Sequence, residues 1–186
     1  MGKLNVFNFI TLNGYFQGPS GDITWHRHGV EESKYAAKRL KSKSILLFGR
    51  VTYEMMESYW PTPIALKNSP EVAEGMNASE KIVFSRTLKK AEWNNTRLVK
   101  GNIVEEMKKM KRMPGKDMTV LGSGSIVSQF AEHGLIDEFQ FMVDPVALGE
   151  GTPIFKGITQ KLDLKLIDVK KFKSGVVLLS YKPMKK

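Results

Sequence analysis

The sequence contains no cysteine. Disulfide bonds, thiolate metal sites and cysteine nucleophiles are therefore excluded. Apolar runs are also short, and none approaches the roughly 20 consecutive apolar residues of a membrane-spanning helix. Residues 1–6 lack the basic region and the apolar stretch of a secretory signal peptide. We therefore expect a soluble, cytoplasmic protein with no membrane partner.

Histidine is scarce, with three copies in the chain. His26 and His28 flank Arg27 near a predicted loop-to-helix junction, and no third histidine stands in register with them. Because protein zinc sites need more ligands than this pair supplies, we interpret both as surface or pocket-edge residues. His133 precedes Gly134 at a predicted helix end, where a positive charge offsets the helix dipole. The sequence thus predicts no metal site.

Acidic residues are outnumbered, with 19 Asp and Glu against 29 Lys and Arg and a formal net charge of +10. Such a charge attracts anions, among them phosphorylated cofactors and nucleic acids. The basic runs, for example residues 38–43 and 108–116, contain almost none of the aromatic side chains on which bases stack. We interpret them as solvated surface and expect no nucleic-acid partner. Binding to duplex or single strands that persists at physiological ionic strength with a steep salt dependence would contradict this expectation.

The 186 residues, 41% of them hydrophobic, suit a single domain that spans residues 1–186. A chain of this length buries roughly 70% of its unfolded surface and needs no covalent cross-links. Strands alternate with helices through the first two thirds of the chain, which implies parallel strands joined by crossover helices. The last strands lack helices between them and are expected to pair antiparallel. The predicted fold class is α/β with a mixed, mostly parallel sheet.

The predicted elements follow from the spacing of apolar residues and from the turn residues that bound them. The predicted strands cover residues 3–12, 44–48, 81–85, 97–100, 118–121, 138–143, 162–169 and 175–181. The predicted helices cover residues 30–40, 51–59, 70–77 and 103–110, and a last helix carries residues 126–131 and is closed by Gly134. The polar, glycine-rich residues 17–22 are predicted to form a mobile loop.

Three predicted strands end in residues suited to an anion. A Gly-Ser-Gly-Ser turn at residues 122–125 opens a helix, whose first amides lack partners and can bind a phosphate. A Gly-Arg-Val-Thr junction at 49–52 and a Ser-Arg pair at 85–86 end two further strands. Because ligands bind beyond the carboxyl ends of strands in such sheets, we expect a shared crevice. Tight packing of the glycines and a surface role of the arginines are alternatives, since the turn does not match the GxGxxG fingerprint.

These segments resemble the dihydrofolate reductase superfamily, and specifically the C-terminal reductase domain of the bifunctional riboflavin-biosynthesis deaminase-reductase. Residues 11–14 (Thr-Leu-Asn-Gly), followed by Trp25, resemble its SLDG and Trp segment. Residues 47–54 resemble its GRxTxE junction, and residues 122–155 supply the most specific stretch, ending in Leu-Gly-Glu-Gly-Thr-Pro-Ile-Phe. The resemblance covers nearly the whole chain.

The resemblance implies a dihydrofolate-reductase-like three-layer fold, an NADPH-dependent hydride transfer and a possible homodimer. It implies that the cofactor is held by Gly49, Arg50, Thr52, Ser85, Arg86, Gly122, Ser123, Gly124, Ser125 and Ile126, with the pyrophosphate at residues 122–126. It also implies that Asn13 and Trp25 line the substrate pocket. The loop at residues 17–22 would close over the nicotinamide and exclude water.

Two departures concern the substrate. Folate reductases place a carboxylate on the helix after the tryptophan to help protonate the pterin, and Glu31 and Glu32 are the candidates here. A helix start also attracts glutamates for electrostatic reasons, which is the alternative interpretation. The riboflavin branch carries a Glu before its glycine pair and an Asp in SLDG, whereas this chain has Leu121 and Asn13. A ribosylamino-pyrimidine substrate is therefore disfavoured.

Two hypotheses for the function follow. The first is an NADPH-dependent reductase of a small heterocycle, pterin-like or aminopyrimidine-like, or of another unsaturated substrate. The second is a non-catalytic nucleotide-binding or assembly module that retains the fold. It applies if neither Glu31 nor Glu32 supplies the catalytic carboxylate. Turnover of a substrate with oxidation of NADPH distinguishes them.

Overall fold

Residues 2–184 are described by a computed structural model. The strands are β1 (Leu4–Thr11), β2 (Tyr15–Gln17), β3 (Ile45–Gly49), β4 (Lys81–Phe84), β5 (Thr96–Val99), β6 (Met118–Leu121), β7 (Glu138–Asp144), β8 (Thr152–Pro153), β9 (Leu164–Lys171) and β10 (Val177–Pro183). The helices are α1 (Val30–Leu40), α2 (Arg50–Tyr59), α3 (Pro63–Asn68), α4 (Pro70–Ala78), α5 (Ile103–Arg112) and α6 (Gly124–Glu132). None of the helices within residues 2–184 is long and apolar enough to cross a bilayer.

Eight strands form one sheet in the order β5-β4-β3-β6-β1-β7-β10-β9. The five neighbouring pairs from β5 to β7 are parallel. Strand β10 pairs antiparallel with both β7 and β9. This topology confirms the predicted α/β fold with a mostly parallel sheet and antiparallel C-terminal strands.

Helices cover both faces of the sheet because successive side chains of a strand point to opposite faces. In β3, Leu47 belongs to the same buried cluster as Phe130 of α6. The next side chain, Phe48, packs on the other face in a cluster with Tyr53 of α2. Helix α1 packs against α4 on that second face. The chain therefore forms three layers, and both helical layers reach the carboxyl edge of the parallel strands.

The longest periodic segments fold as predicted. Helix α1 covers the predicted residues 30–40, and β6 covers the predicted residues 118–121. Helix α2 ends at Tyr59, next to the Trp60-Pro61 pair, because proline disfavours helical geometry in the residue before it. Gly134 has a φ of 61° and ends the α6 segment in the left-handed conformation that glycine adopts without cost.

Three short features were not predicted. Helix α3 has six residues, and the Thr62 hydroxyl caps it by accepting a hydrogen bond from the Ala65 amide at 3.2 Å. Strands β2 and β8 form a small antiparallel pair beside the main sheet. Part of the predicted loop at residues 17–22 is a short 3-10 turn at Pro19–Gly21. Each of these pieces is too short for hydrophobic periodicity to reveal it.

Candidate active site

The strand-to-helix junctions after β3 and β6 are bonded to each other. The Gly49 amide donates to Oγ of Ser123 at 2.8 Å, and the Ser123 amide donates to Oγ1 of Thr52 at 3.1 Å. Ser123 Oγ in turn donates to the main-chain oxygen of Leu121 at 3.1 Å. The two junctions that the sequence predicted to share a crevice therefore form one continuous structure.

The first turn of α6 depends on its two glycines. Gly122 has a φ of 58°, and a Cβ there would lie 2.9 Å from Cγ2 of Thr52. A Cβ on Gly124 would lie 2.7 Å from the ring of Phe16 in β2. Within residues 2–184, the amides of Gly124 and Ser125 have no hydrogen-bond acceptor. Free amides at a helix start attract anions, and the binding of an anion at this turn stays a prediction.

Two cavities flank this turn. The first, which we call the apolar cavity, has a volume of about 390 Å³ and includes Thr52 and Gly122 in its lining. The second, the polar cavity, has a volume of about 500 Å³ and includes Ile126 in its lining. The start of α6 therefore lies between the two cavities, because Gly122 lines the first and Ile126 lines the second.

The apolar cavity lies on the face of the sheet that α1, α2 and α4 cover. Its lining from the helices includes Ala36, Arg39, Leu40, Val51, Met55, Met56, Val72 and Met76, and its lining from the sheet includes Phe7, Phe9, Leu46, Thr119 and Leu121. Residues of the 16–26 segment, among them Trp25, complete the lining. A mostly apolar cavity with few polar groups is typical of a small-molecule site.

Strand β1 has a free edge at this cavity. Its pairing with β6 ends at Phe7 opposite Leu121, whereas its pairing with β7 continues to Thr11 opposite Asp144. Asn8 and Phe9 lie beyond the end of β6 and line the cavity. Main-chain groups on that edge are free to bond with a planar ligand that carries an amide.

His26 and Asp144 form a buried pair in the cavity wall. The His26 side chain is 2% exposed and that of Asp144 is 0% exposed, and Nδ1 lies 2.7 Å from Oδ2. The other carboxylate oxygen, Oδ1, accepts the Arg27 amide at 2.8 Å. The His26 ring stacks on Phe9, with 3.6 Å between ring centroids, and His26 lines the apolar cavity. The sequence predicted a surface or pocket-edge position for His26, and it gave no sign of Asp144, which lies 118 residues away.

His28 stands beside this pair, with its ring centroid 4.4 Å from that of His26. Burial lowers the pKa of His28, and the neighbouring His26 lowers it further. His28 is therefore held toward its neutral form. No group of three or more His, Asp or Glu side chains in the described part of the chain is arranged to hold a metal ion.

Arg39 brings the one permanent positive charge to the apolar cavity. Its guanidinium carbon lies 4.5 Å from the centroid of the Phe7 ring. Burial lowers the pKa of Arg39, but a guanidinium keeps its proton at neutral pH. No Asp or Glu side chain among residues 2–184 lines this cavity. The cavity thus favours ligands that accept hydrogen bonds or carry negative charge.

The structure does not bring the predicted catalytic glutamates to the cavity. Glu32 is buried, and its Oε1 accepts a hydrogen bond from the Ser174 hydroxyl. Glu31 accepts the Lys173 amide at 3.0 Å. Both carboxylates therefore bind the turn between β9 and β10, because α1 begins above that turn and reaches the cavity only from Ala36 onward.

Of the two residues predicted to line the substrate pocket, one lines the apolar cavity and the other does not. Trp25 lines the cavity, and its indole Nε1 donates to the main-chain oxygen of Asp22 at 3.1 Å. Asn13 is exposed and lies outside the lining. Its amide donates to the main-chain oxygen of Leu148 at 2.8 Å, so it joins two loops.

Of the two arginines predicted to bind the cofactor, one lines the polar cavity and the other lies outside both cavities. Arg86 and Ser85 line the polar cavity together with Asn102, Gln129 and His133. Ser85 Oγ also shapes the turn, since it accepts the Leu88 amide at 2.9 Å. Arg50 lies outside both cavities and donates to Glu54, one helical turn later, at 2.8 Å. The structure therefore groups Ser85 and Arg86 with the α6 turn, and it directs Arg50 elsewhere.

Known proteins resemble this chain over nearly its full length. The family model of the RibD C-terminal domain matches residues 2–178. The uncharacterized protein YyaP of Bacillus subtilis (strain 168) is 32% identical over 172 residues, which cover 92% of this chain and 90% of YyaP. The uncharacterized protein YwjB of the same organism is 34% identical over 179 residues, which cover 95% of each chain.

Solved structures share the fold. A putative riboflavin biosynthesis protein from Shewanella sp. PV-4 superimposes with a TM-score of 0.76 at 21% identity, covering 98% of this chain and 99% of that one. The diaminohydroxyphosphoribosylaminopyrimidine deaminase/5-amino-6-(5-phosphoribosylamino)uracil reductase of Thermotoga maritima superimposes with a TM-score of 0.68 at 17% identity. The match covers 98% of this chain but 57% of that bifunctional protein. With the family model matching 177 of its residues, this chain belongs to the RibD C-terminal domain family, which has a reductase-type, dihydrofolate-reductase-like fold.

Proposed function

We propose that this protein is an NADPH-dependent reductase that transfers a hydride to a small, flat, unsaturated substrate. The observation that carries the proposal is the position of the α6 turn between two cavities, in a turn whose Gly124 and Ser125 amides have no acceptor within residues 2–184. A dinucleotide has two ring systems joined by a pyrophosphate, which suits two cavities that lie on either side of a helix start.

The residues present fit this cofactor. Gly122 and Gly124 let Thr52 and the ring of Phe16 pack directly against the main chain of the turn, which any larger residue would prevent. Arg86 and His133 bring two basic side chains to the polar cavity, which suits an adenosine that carries a phosphate. The nicotinamide would lie in the apolar cavity, where the free edge of β1 suits its amide. Reduced nicotinamide supplies a hydride, and the protein positions the reactants and excludes water.

The lining of the apolar cavity restricts the substrate. Leu121 lines the cavity, so the residue before the glycine pair faces the region where the substrate would lie and offers it no hydrogen bond. Without a carboxylate in the lining, the amino groups of a pterin or aminopyrimidine find no strong acceptor. Arg39 instead suits a carbonyl or an anionic group. We therefore expect substrates with acceptor groups, such as quinones or unsaturated carbonyl compounds, to react better than pterins.

The test is steady-state oxidation of NADPH with a panel of pterins, aminopyrimidines, quinones and unsaturated carbonyl compounds, with product identified by mass spectrometry. The reductase predicts turnover of at least one acceptor-bearing compound. Binding of NADPH with no turnover across the panel contradicts it and supports a non-catalytic nucleotide-binding module. Oxidation of NADPH without a reduced organic product would reflect reaction with oxygen and would also contradict it.

The homodimer that the family resemblance implies stays a proposal. Strand β9 is the last strand of the sheet, and its side chains Leu166, Ile167 and Val169 are exposed. A second copy that covers this strand would remove apolar surface from water. Light scattering that gives twice the mass of one chain supports the dimer, and the mass of one chain contradicts it.

A further inference from the structure

Reduction of a double bond by hydride requires a proton as well, and the apolar cavity offers few sources. His26 and Arg39 are the only ionisable side chains that line it within residues 2–184. A guanidinium does not give up its proton near neutral pH. Imidazole changes its charge between about pH 5 and pH 8, so it can both give and regain a proton. His26 is therefore the one side chain in the lining suited to proton transfer.

The His26 ring is held in one orientation. A carboxylate only accepts hydrogen bonds, so Nδ1 carries the hydrogen of the 2.7 Å bond to Asp144. Asp144 is itself fixed, because it is the last residue of β7 and its second oxygen accepts the Arg27 amide. The stacked ring of Phe9 supports the imidazole from β1. This arrangement leaves Nε2 as the atom with which His26 acts on a ligand.

Nε2 of His26 has no hydrogen-bond partner in the described part of the chain. Nδ1 makes the one side-chain hydrogen bond of His26 in the described part of the chain. The polar side-chain atoms there that are sealed from solvent without a partner are Asn5 Oδ1, Asn8 Oδ1 and Gln140 Oε1. Nε2 is not among them, so it is not sealed from solvent, and His26 is one of the residues that line the cavity. Phe9, on which the ring stacks, belongs to the free edge of β1.

The charged and titratable groups around His26 do not replace it. Asp144 bonds to it from β7, and His28 lies beside it with a lowered pKa. Glu32 faces His28 from α1 and is occupied by Ser174. The Arg27 guanidinium points to the main-chain oxygen of Ser174, at 2.9 Å. None of these three neighbours of the pair, His28, Glu32 and Arg27, lines the apolar cavity in the described residues.

We infer that His26 is the catalytic residue that protonates the substrate, and that Asp144 is a positioning residue that holds its ring. This inference rests on the proposed reductase function. Hydride from NADPH forms a new C–H bond at the carbon of a C=O, C=N or conjugated C=C bond, and the π bond breaks. Its electron pair takes the proton of His26 Nε2 at the other end of the reacting system. NADPH is oxidised to NADP⁺, and neutral His26 regains a proton from water.

The test compares His26→Gln and Asp144→Asn with His28→Gln as the matched control. Assays use NADPH with the best quinone or unsaturated carbonyl compound of the panel. We expect His26→Gln to lower kcat about 100-fold or more, as loss of a general acid does, and to leave the Kd of NADPH unchanged. The decline of kcat with rising pH should disappear in this variant. His28→Gln should keep both kcat and its pH dependence.

Nuclear magnetic resonance gives a readout that does not depend on turnover. With three histidines in the chain, the His28→Gln variant helps to assign the ring signals. In the wild type, ring ¹⁵N shifts should show hydrogen on Nδ1 of neutral His26, and Asp144→Asn should change this tautomer. The double variant should be no slower than His26→Gln alone, because two residues that act as a unit are not additive.

The outcomes separate the two proposals. If NADPH binds and His26→Gln keeps the kcat and pH profile of the wild type, the role of His26 is wrong and the reductase proposal stands. A neutral His26 whose hydrogen is on Nε2 in the wild type also overturns the role of Asp144. If the wild type does not bind NADPH, the reductase proposal itself fails and the inference fails with it.

Discussion

The Gly49 amide donates a hydrogen bond of 2.8 Å to the hydroxyl of Ser123, so the starts of α2 and α6 are held together. Ser123 is buried and adopts a left-handed conformation with a φ of 59°. Its hydroxyl therefore connects the end of β3 to the turn that we propose binds the pyrophosphate. The geometry of that turn depends on a contact between two segments 74 residues apart.

Replacing Ser123 tests this contact. Ser123→Ala leaves the part-buried Gly49 amide without an acceptor, and an unpaired donor costs up to about 1–3 kcal/mol. We expect urea denaturation to show this loss in the free energy of unfolding, together with weaker NADPH binding. The control is Ser125→Ala, two residues along in the same turn, because the Ser125 side chain is exposed. Equal stability of the Ser123 and Ser125 variants would contradict the role of the contact.

Gly122 should tolerate alanine poorly. Its φ of 58° disfavours any side chain by roughly 1–2 kcal/mol, and the added Cβ would meet Cγ2 of Thr52 at 2.9 Å. We expect Gly122→Ala to lower the thermal midpoint, and Thr52→Ser to restore part of it in the double variant. Serine removes Cγ2 but keeps the hydroxyl that accepts the Ser123 amide. If Thr52→Ser restores nothing, the close contact is not the cause.

Arg86 should matter more for NADPH than Arg50 does. Arg86 lines the polar cavity, whereas Arg50 is bonded to Glu54 outside it. A hydrogen bond between charged groups contributes about 1.5–3 kcal/mol, so we expect Arg86→Ala to weaken NADPH binding by roughly tenfold or more. NADH, which lacks the extra phosphate, should be affected less.

Calorimetric titration of both nucleotides measures this difference, with Arg112→Ala as a control that removes an exposed positive charge at the far end of α5. Equal losses for NADPH and NADH in Arg86→Ala would contradict a contact with the phosphate that distinguishes them. A larger loss in Arg50→Ala would move the phosphate site to the other junction.

The buried Lys81 should give stability a dependence on pH. Its ammonium donates to the main-chain oxygens of Met76, Asn77 and Ser79 at the end of α4. Burial lowers the pKa of Lys81 to about 8. An unfolded lysine keeps its proton to about pH 10.4. Between these values the unfolded chain binds more protons than the folded chain, so the contribution of Lys81 to stability increases as the pH rises.

The measurement is urea denaturation of the wild type and of Lys81→Met from about pH 7.5 to about pH 9.5. The other lysines titrate in both proteins, so their effect cancels in the difference between the two free energies of unfolding. We expect the wild type to gain stability relative to Lys81→Met over this range. A relative loss would contradict the lowered pKa.

Local signals account for the parts that the sequence predicted well. Helix α1 and strand β6 carry enough apolar residues for the period to be unambiguous, and Gly134 marks a helix end through the conformation that it allows. The convergence of residues 49–52 and 122–125 followed from parallel topology, since carboxyl ends of parallel strands meet at one edge.

Tertiary contacts account for the parts that the sequence could not predict. Nothing near His26 indicates that Asp144 completes its site, because the pair is assembled by strand β7. Their position at the start of α1 made the two glutamates candidates for a proton donor, but a helix start favours acidic residues in any case. In the structure, residues of the turn at 173–175 donate hydrogen bonds to both carboxylates. Arg50 and Arg86 follow equivalent strand ends, so the sequence does not distinguish them. In the structure, Arg50 is bonded to Glu54, whereas Arg86 lines the polar cavity.

Binding of NADPH is the most direct test of the account, because every proposed role depends on it. A ligand bound by the native state alone stabilises it by about 2.7 kcal/mol at 100 times its Kd. Thermal denaturation of the wild type with increasing NADPH, and separately with NADH, measures this linkage. We predict a rise of the thermal midpoint that grows with concentration, is larger for NADPH and is reduced in Arg86→Ala. No shift with either nucleotide at millimolar concentration would contradict the proposed cofactor site.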